Sequence, residues 1–93
     1  MTTIFHHTDK QRFSTVLNAN TAYVDYDLRG DVMEITHTIV PEAIGGRGIA
    51  GKLNEAALKT AREQGWKVIP TCSYTAAYIQ RHHEYEDLLA DIG

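Results

Sequence analysis

The chain has 93 residues, of which 43% are hydrophobic and 23% charged, as in ordinary globular proteins, and we expect one domain over residues 1–93. Its net charge of −3 argues against broad attraction to nucleic acid or an anionic membrane, so any anion site must be local. No stretch approaches the roughly 20 apolar residues that span a bilayer, and no signal peptide is visible. Cys72 is the only cysteine, which excludes an intramolecular disulfide and indicates a cytoplasmic protein.

The first half of the chain is predicted to form an antiparallel β-meander. Segments rich in β-branched and aromatic residues alternate with turn-forming residues. The predicted strands cover residues 3–7, 13–17, 21–26 and 32–40. The last segment follows the hairpin signal Arg29-Gly30-Asp31 and alternates with a period of two. This alternation predicts two faces, with Glu34, Thr36 and Thr38 on one and Met33, Ile35, His37 and Ile39 on the other.

From residue 49 onward the pattern changes to a helical period. Small and apolar residues recur on one face of a predicted helix over 49–64, and Gly65 is a residue type that ends helices. The segments that follow predict a buried strand and two further helices, over 66–72, 75–83 and 84–92. Strand, helix and strand in this order imply a right-handed crossover onto the same sheet. The predicted fold class is therefore α+β with one mixed sheet.

A glycine-rich segment, Gly45-Gly46-Arg47-Gly48-Ile49-Ala50-Gly51-Lys52, joins the two halves. Residues 43–48 contain no Ser, Thr, Asp or Asn that could cap the following helix. Arg47 and Lys52 add positive charge where a bare helix would favour acids. Because unpaired N–H groups at a helix N-terminus attract anions, these departures together favour a bound phosphate over a hydrated glycine turn.

Two nucleotide motifs compete for this loop, and both are disfavoured. Gly46 to Gly51 matches the dinucleotide fingerprint G-x-G-x-x-G, but Pro70-Thr71-Cys72-Ser73 stands where the ribose-binding acid is needed. Gly46 to Lys52 matches most of a P-loop, but Leu53 replaces the hydroxyl residue that would ligate magnesium. The sequence therefore argues against NAD and against nucleoside triphosphates.

The loop resembles instead the pyrophosphate loop of the GNAT superfamily of N-acetyltransferases, Arg/Gln-x-x-Gly-x-Gly/Ala, with Gly48-Ile49-Ala50 as its second half. Gly45 occupies the first position, so a side-chain contact common in the family is missing. The resemblance is closest to a minimal GNAT-like group and is carried by Glu34–Thr38, Val40-Pro41, Gly46–Ala50, Pro70–Tyr74 and Ala77–His82. It implies a small cytoplasmic protein, monomeric or weakly dimeric, with a GNAT-like α+β fold whose second half is a β-loop-α-β-α unit that binds acetyl-CoA.

The resemblance also implies where acetyl-CoA (coenzyme A) binds. The pantetheine lies between strands 34–40 and 66–72, the Ile39-Val40 backbone pairs with its amides, and N–H groups from Arg47 to Ala50 hold the pyrophosphate. The residues expected to contact the cofactor are Ile39, Val40, Gly45, Gly46, Arg47, Gly48, Ile49, Ala50, Lys52, Cys72, Tyr78 and Arg81.

Acetyl transfer requires a deprotonated amine, a polarised thioester and a stabilised leaving thiolate, and three residues are the main candidates for these roles. The resemblance suggests that Cys72 accepts the acetyl group, with His37 on the neighbouring strand as its natural partner, and the structural alternative is an inert buried thiol. His37 could instead be the general base for direct attack by the amine, and its structural alternative is a hydrogen-bonded core histidine. Glu34 is a weaker candidate for the base. On the resemblance Tyr78 protonates the leaving thiolate, and its alternative is aromatic packing.

The histidine doublets His6-His7 and His82-His83 predict no metal site, because adjacent side chains diverge and the single cysteine lies elsewhere. We therefore expect an acetyl-CoA-dependent N-acetyltransferase that acts on an unidentified amine, a small molecule or a protein lysine, with no nucleic-acid or membrane partner. The alternative is a non-catalytic acyl-CoA-binding or regulatory module on the same fold. Direct transfer and an acetyl-Cys72 intermediate both stay open.

Overall fold

Residues 3–90 are described by a computed structural model. Their strands are β1 (Phe5–His7), β2 (Arg12–Leu17), β3 (Asn20–Arg29), β4 (Val32–Ile39) and β5 (Lys67–Pro70). The helices are α1 (Ile49–Gln64) and α2 (Ser73–Arg81), and two 3₁₀ segments cover Glu42–Ile44 and His83–Leu88. Among these residues no helix combines the length and the apolar character needed to cross a bilayer.

The five strands form one mixed sheet in the order β1-β2-β3-β4-β5. The strands from β1 to β4 are antiparallel neighbours, as the meander prediction requires. β5 joins the sheet parallel to β4, after the chain has crossed over through α1. The predicted α+β class and the mixed sheet are therefore confirmed.

The core lies between α1 and one face of the sheet. Along β3, Ala22, Val24 and Tyr26 are buried and the residues between them are half-buried, as expected for a strand with one covered face. The helix contributes buried apolar side chains at helical spacing, namely Ile49, Leu53, Ala57, Leu58 and Ala61. Full burial of such a side chain contributes about 1.5–3 kcal/mol, so this contact holds α1, and the loop before it, against the sheet.

The helical predictions are confirmed in α1 and only in part at the C-terminal end. α1 stops where the sequence predicts, because Gly65 takes a left-handed conformation with φ 75° that a residue without Cβ adopts easily. The N–H of Trp66 then donates to the carbonyl of Ala61 at 2.8 Å and satisfies one of the last helix carbonyls. The predicted last helix is a 3₁₀ segment over His83–Leu88, and its predicted residues 91–92 lie outside the described residues.

Two element boundaries differ from the prediction around Cys72. β5 ends at Pro70, and α2 begins at Ser73, two residues before the predicted Thr75. Cys72 has extended backbone angles (φ −66°, ψ 127°) and is the N-cap residue of α2. The thiol therefore lies at the junction of strand and helix and not within the strand.

A β-bulge interrupts the pairing of β4 with β3. Tyr26 pairs with Ile35, but its neighbour Asp25 pairs with His37. One step along β3 thus corresponds to two steps along β4, which makes Thr36 the extra residue. Such a bulge bends the strand and increases its twist.

The bulge exchanges the faces on which the later residues of β4 lie. Thr38 pairs with the buried Val24 and shares the helix-covered face with it, whereas His37 and Ile39 turn to the open face. His37 is exposed, and Ile39 is 43% exposed. The prediction that Met33, Ile35, His37 and Ile39 share one face of β4 is therefore wrong.

Candidate active site

The parallel strands β4 and β5 diverge in the middle of the protein. Their pairing ends at Ile35 opposite Pro70, and the N–H of Cys72 makes the last backbone contact, to the carbonyl of Ile35 at 2.8 Å. β4 continues to Ile39 in pairing with β3, while the other chain turns into α2. From Thr36 to Ile39, β4 therefore does not pair with β5, and we call the gap between the diverging strands the cleft.

The glycine loop lies at the start of α1 and is exposed from Gly45 to Gly48. Gly46 and Gly48 have φ 76° and φ 72°, left-handed angles that strain any residue with a side chain. Gly48 is the N-cap of α1, and no side chain caps the helix. The first N–H groups of α1, together with the exposed Arg47, are therefore suited to bind an anion.

The first turn of α1 packs closely against α2. A Cβ on Gly51 would lie 3.4 Å from the hydroxyl oxygen of Tyr74 and 3.7 Å from the ring of Tyr78. The Tyr78 ring in turn stacks on His82 with 4.0 Å between centroids. Tyr78 thus lies near the loop end of α1, whereas Arg81 lies exposed in the last turn of α2.

The environment of Tyr78 makes its hydroxyl hold its proton tightly. Burial, followed by the nearby carboxylate of Glu55, raises the pKa of Tyr78 to about 12. The hydroxyl is therefore protonated at neutral pH and can donate a hydrogen bond. Because a thiol has a pKa of about 8.5, complete proton transfer from Tyr78 to a leaving thiolate would be uphill.

The thiol of Cys72 faces the covered side of the sheet. Its Sγ lies 3.4 Å from the Oγ1 of Thr38, the residue that the bulge turned to this side. Burial raises the pKa of Cys72, but hydrogen bonds from the Thr38 hydroxyl and from the N–H groups of Thr75 and Tyr74 outweigh it, so the pKa is lowered. This helix N-terminal setting is typical of reactive thiols.

Two fully buried polar residues, Asn54 of α1 and Thr75 of α2, join this group. The amide nitrogen of Asn54 donates to Thr38 Oγ1 at 3.2 Å, and its amide oxygen accepts from the Thr75 hydroxyl at 2.5 Å. The sequence reasoning missed both residues. The helical period does place Asn54 on the buried face of α1, and a polar residue there was the signal that could have found it.

His37 and Glu34 lie together on the open face. The Nδ1 of His37 is 3.1 Å from the hydroxyl of Thr36, and Glu34 accepts a hydrogen bond from Thr71 at 2.6 Å. The expected pairing of His37 with Cys72 is therefore not found, because the bulge puts the ring on the side opposite the thiol. Both candidate bases therefore lie on the open face, where His37 is exposed and Glu34 is half-buried and ion-paired with Arg29 at 3.3 Å.

The histidine doublets contact aromatic and polar neighbours. The Nε2 of His6 lies 2.6 Å from the Tyr26 hydroxyl, and the Nε2 of His7 lies 2.8 Å from the hydroxyl of Ser14. Among residues 3–90 no group of three or more His, Cys, Asp or Glu side chains could hold a metal ion. The doublets thus have packing and hydrogen-bonding roles in the described part of the chain.

A strand–loop–helix unit with an uncapped glycine turn, followed by a parallel strand that diverges from the first, defines a GNAT-type fold. A family model described as GCN5-related N-acetyl-transferase matches residues 12–88, and the chain belongs to this family. Protein NATD1 of Mus musculus is 35% identical over 80 residues, which cover 83% of this chain and 73% of that protein. Protein NATD1 of Homo sapiens is 34% identical over 80 residues, covering 83% and 71%.

A solved structure shows the same architecture. The NMR solution structure of a GCN5-like protein from Staphylococcus aureus matches with a TM-score of 0.75 and 26% identity, and the match covers 98% of this chain and 90% of that one. The family expected from the glycine loop is thereby confirmed. The chain is a small GNAT-like protein.

Proposed function

We propose that the protein binds acetyl-CoA and transfers its acetyl group to an amine. The family generally uses acetyl-CoA as its acyl donor. The observation that carries the proposal is the position of the cleft between β4 and β5 beside the uncapped start of α1. An extended pantetheine arm that is joined to a pyrophosphate fits an open strand edge next to the uncapped start of a helix.

The residues present fit such a ligand. The N–H groups from Arg47 to Ala50 would hold the pyrophosphate, with Gly45, Gly46 and Lys52 beside them, and the backbone of Ile39 and Val40 would bind the pantetheine. Side chains at the two left-handed glycines would strain the turn that presents these N–H groups. Acetyl-CoA supplies the activated carbonyl, and Arg81 remains a candidate for a phosphate contact.

The protein's own groups divide the chemistry between the two faces of β4. On the covered face, the Cys72 thiolate is the candidate to accept the acetyl group on its sulfur, and the Tyr78 hydroxyl donates a hydrogen bond to the leaving thiolate. On the open face, His37 is the candidate to take a proton from an amine that attacks acetyl-CoA directly. A thiol that must stay reduced fits a reducing compartment such as the cytoplasm.

A non-catalytic acyl-CoA-binding module is the second candidate. It is favoured by one observation, namely that His37 lies on the face opposite Cys72, so the described residues place no histidine beside the thiol. The two functions differ in one observable. A transferase acetylates an amine or Cys72, whereas a binding module takes up acetyl-CoA without turnover.

The binding step is tested with Gly48→Ala, which strains the loop. Calorimetry is expected to show acetyl-CoA binding to the wild-type protein and an affinity at least about tenfold lower for the variant. Gly30→Ala is the matched control, because Gly30 has a similar φ of 62° in the hairpin before β4 and open space around it. Equal loss in both variants, or no heat with millimolar acetyl-CoA, would contradict the proposal.

A further inference from the structure

The orientation of the Asn54 side chain is fixed by its neighbours. The Ala50 carbonyl can only accept a hydrogen bond, so the Asn54 atom 2.9 Å from it must be the amide nitrogen. The amide oxygen then faces Thr75, whose hydroxyl donates to it. The second hydrogen of the amide consequently points to the Oγ1 of Thr38 at 3.2 Å.

This arrangement also sets the direction of the Thr38 hydroxyl. A hydroxyl group has one hydrogen and two acceptor lone pairs. The Asn54 amide occupies one lone pair, so the hydrogen of Thr38 is left for its other neighbour, the Sγ of Cys72 at 3.4 Å. When Cys72 is a thiol, its own hydrogen can lie between the two atoms, and when it is a thiolate the Thr38 hydrogen takes that place.

We propose that Asn54 is a positioning residue for Cys72, because it holds the Thr38 hydroxyl so that its hydrogen is available to the thiolate. The chain of donors runs from Thr75 through Asn54 and Thr38 to the sulfur, and it links α2, α1 and β4. This inference deepens the proposed function and rests on the role of Cys72 as acetyl acceptor. It assigns roles to two residues whose side chains do not enter the cofactor site described above.

The groups that support the thiolate are neutral. Burial raises the pKa of Cys72, and what opposes it are the Thr38 hydroxyl and the N–H groups of Thr75 and Tyr74. Interactions between exposed charges weaken as salt screens them, whereas short buried hydrogen bonds are screened much less. The reactivity of Cys72 should therefore depend on these donors and little on ionic strength.

The test measures the pKa of Cys72 from the pH dependence of its alkylation by iodoacetamide, in the full chain without ligand. Cys72 is the only cysteine, so the rate reports this thiol alone. Thr38→Val removes the hydroxyl at similar volume and is expected to raise the pKa by about 1, because a hydrogen bond to a charged group is lost. Thr38→Ser keeps the hydroxyl and should leave the pKa unchanged. An unchanged pKa in Thr38→Val overturns the proposal.

The role of Asn54 itself is tested with Asn54→Asp, which replaces a donor by an acceptor and turns the Thr38 hydrogen away from sulfur. The pKa of Cys72 is expected to rise, and the control is the same substitution in the Thr38→Val background. There the added charge is still present but no hydroxyl can be turned, so the rise should be smaller. An equal rise in both backgrounds overturns the positioning role. If circular dichroism shows that Asn54→Asp does not fold, Asn54→Ala, which removes the donor without adding a charge, is compared in the same two backgrounds, and an equal rise in both overturns the positioning role.

These results can be separated from a failure of the proposed function. Alkylation needs no acetyl-CoA, so the expected pKa rise in Thr38→Val supports the donor chain even if the protein neither binds nor transfers the acetyl group. Conversely, acetylation of Cys72 with an unchanged pKa in Thr38→Val supports the transferase and rejects the donor chain.

Discussion

The two faces of β4 offer opposite surroundings to the groups they carry. On the covered face, Thr38 meets Cys72 among neutral, buried hydrogen-bond partners. On the open face, the exposed His37 lies opposite Asp25, which is engaged in an ion pair. The difference arises from one inserted residue, Thr36, since the faces after it are exchanged relative to a regular strand.

This comparison suggests a division of labour in acetyl transfer. The Cys72 thiolate is stabilised by donors directed at its sulfur, which outweigh the burial that opposes its charge. A base for an incoming amine must instead be reachable from solvent, as His37 is. The covered face thus suits an acetyl group carried by Cys72, and the open face suits an amine that attacks acetyl-CoA directly.

The largest effect is expected from removing the thiol. Cys72→Ala should abolish acetylation of the protein and, if the acetyl group passes through Cys72, transfer to amines as well. His37→Ala should slow transfer to amines about 100-fold, because a general base is lost, and leave protein acetylation intact. Intact-mass spectrometry and an amine acetylation assay measure the two steps. Undiminished transfer by Cys72→Ala would exclude the covalent route and leave direct attack with His37 as base.

Deleting Thr36 is expected to have a smaller effect. It should change the shape of the cleft but not the faces of β4 on which His37 and Thr38 lie. Without the extra residue, His37 and Thr38 keep their partners on β3, but β4 loses the bend that begins where its pairing with β5 ends. The affinity for acetyl-CoA should fall about tenfold, equivalent to about 1.4 kcal/mol, in a chain that still folds. Thr36→Ala, which keeps the bulge, is the control for calorimetry. A deletion variant that folds and binds as tightly as wild type would show that the bulge does not shape the cleft.

The sequence predicted the parts of this arrangement that have local signals. α1 was placed correctly because its period and Gly65 mark both the buried face and the end of the helix. The bulge could not be predicted, because the alternation from Glu34 to Ile39 looks the same with or without an inserted residue. Only the pairing with β3 shows that Thr36 is extra.

A different reason explains why the sequence did not reveal Asn54 and Thr75 as residues of the site. Helical spacing marks Asn54 as buried, but a sequence does not show which polar groups from other elements meet it. Its partners Thr38 and Thr75 lie 16 positions before it and 21 positions after it. The glycine loop, by contrast, is contiguous in sequence, and for that reason its resemblance to the family is visible without the structure.

The smallest expected effect is a pH dependence of the melting temperature that is due to His6. This residue lies at the edge of the covered face and stacks on Phe13 with 4.0 Å between ring centroids. Burial, and then the charge of His7, lowers the pKa of His6 below 6.5. A lowered pKa in the folded state stabilises the protein above about pH 6.5, and this contribution is lost as the pH falls through the folded pKa. Between about pH 7 and pH 5 the melting temperature should therefore fall slightly more for the wild type than for His6→Gln. An equal or larger fall in the variant would contradict this assignment.

The most direct test of the central claim is an NMR titration of the protein with acetyl-CoA. We expect saturable changes in the backbone amide signals of residues 38–40 and 46–50 and of Cys72, because these line the cleft and the uncapped start of α1. The absence of saturable change at millimolar acetyl-CoA, or changes confined to the open face around Asp25 and Arg12, would contradict the account.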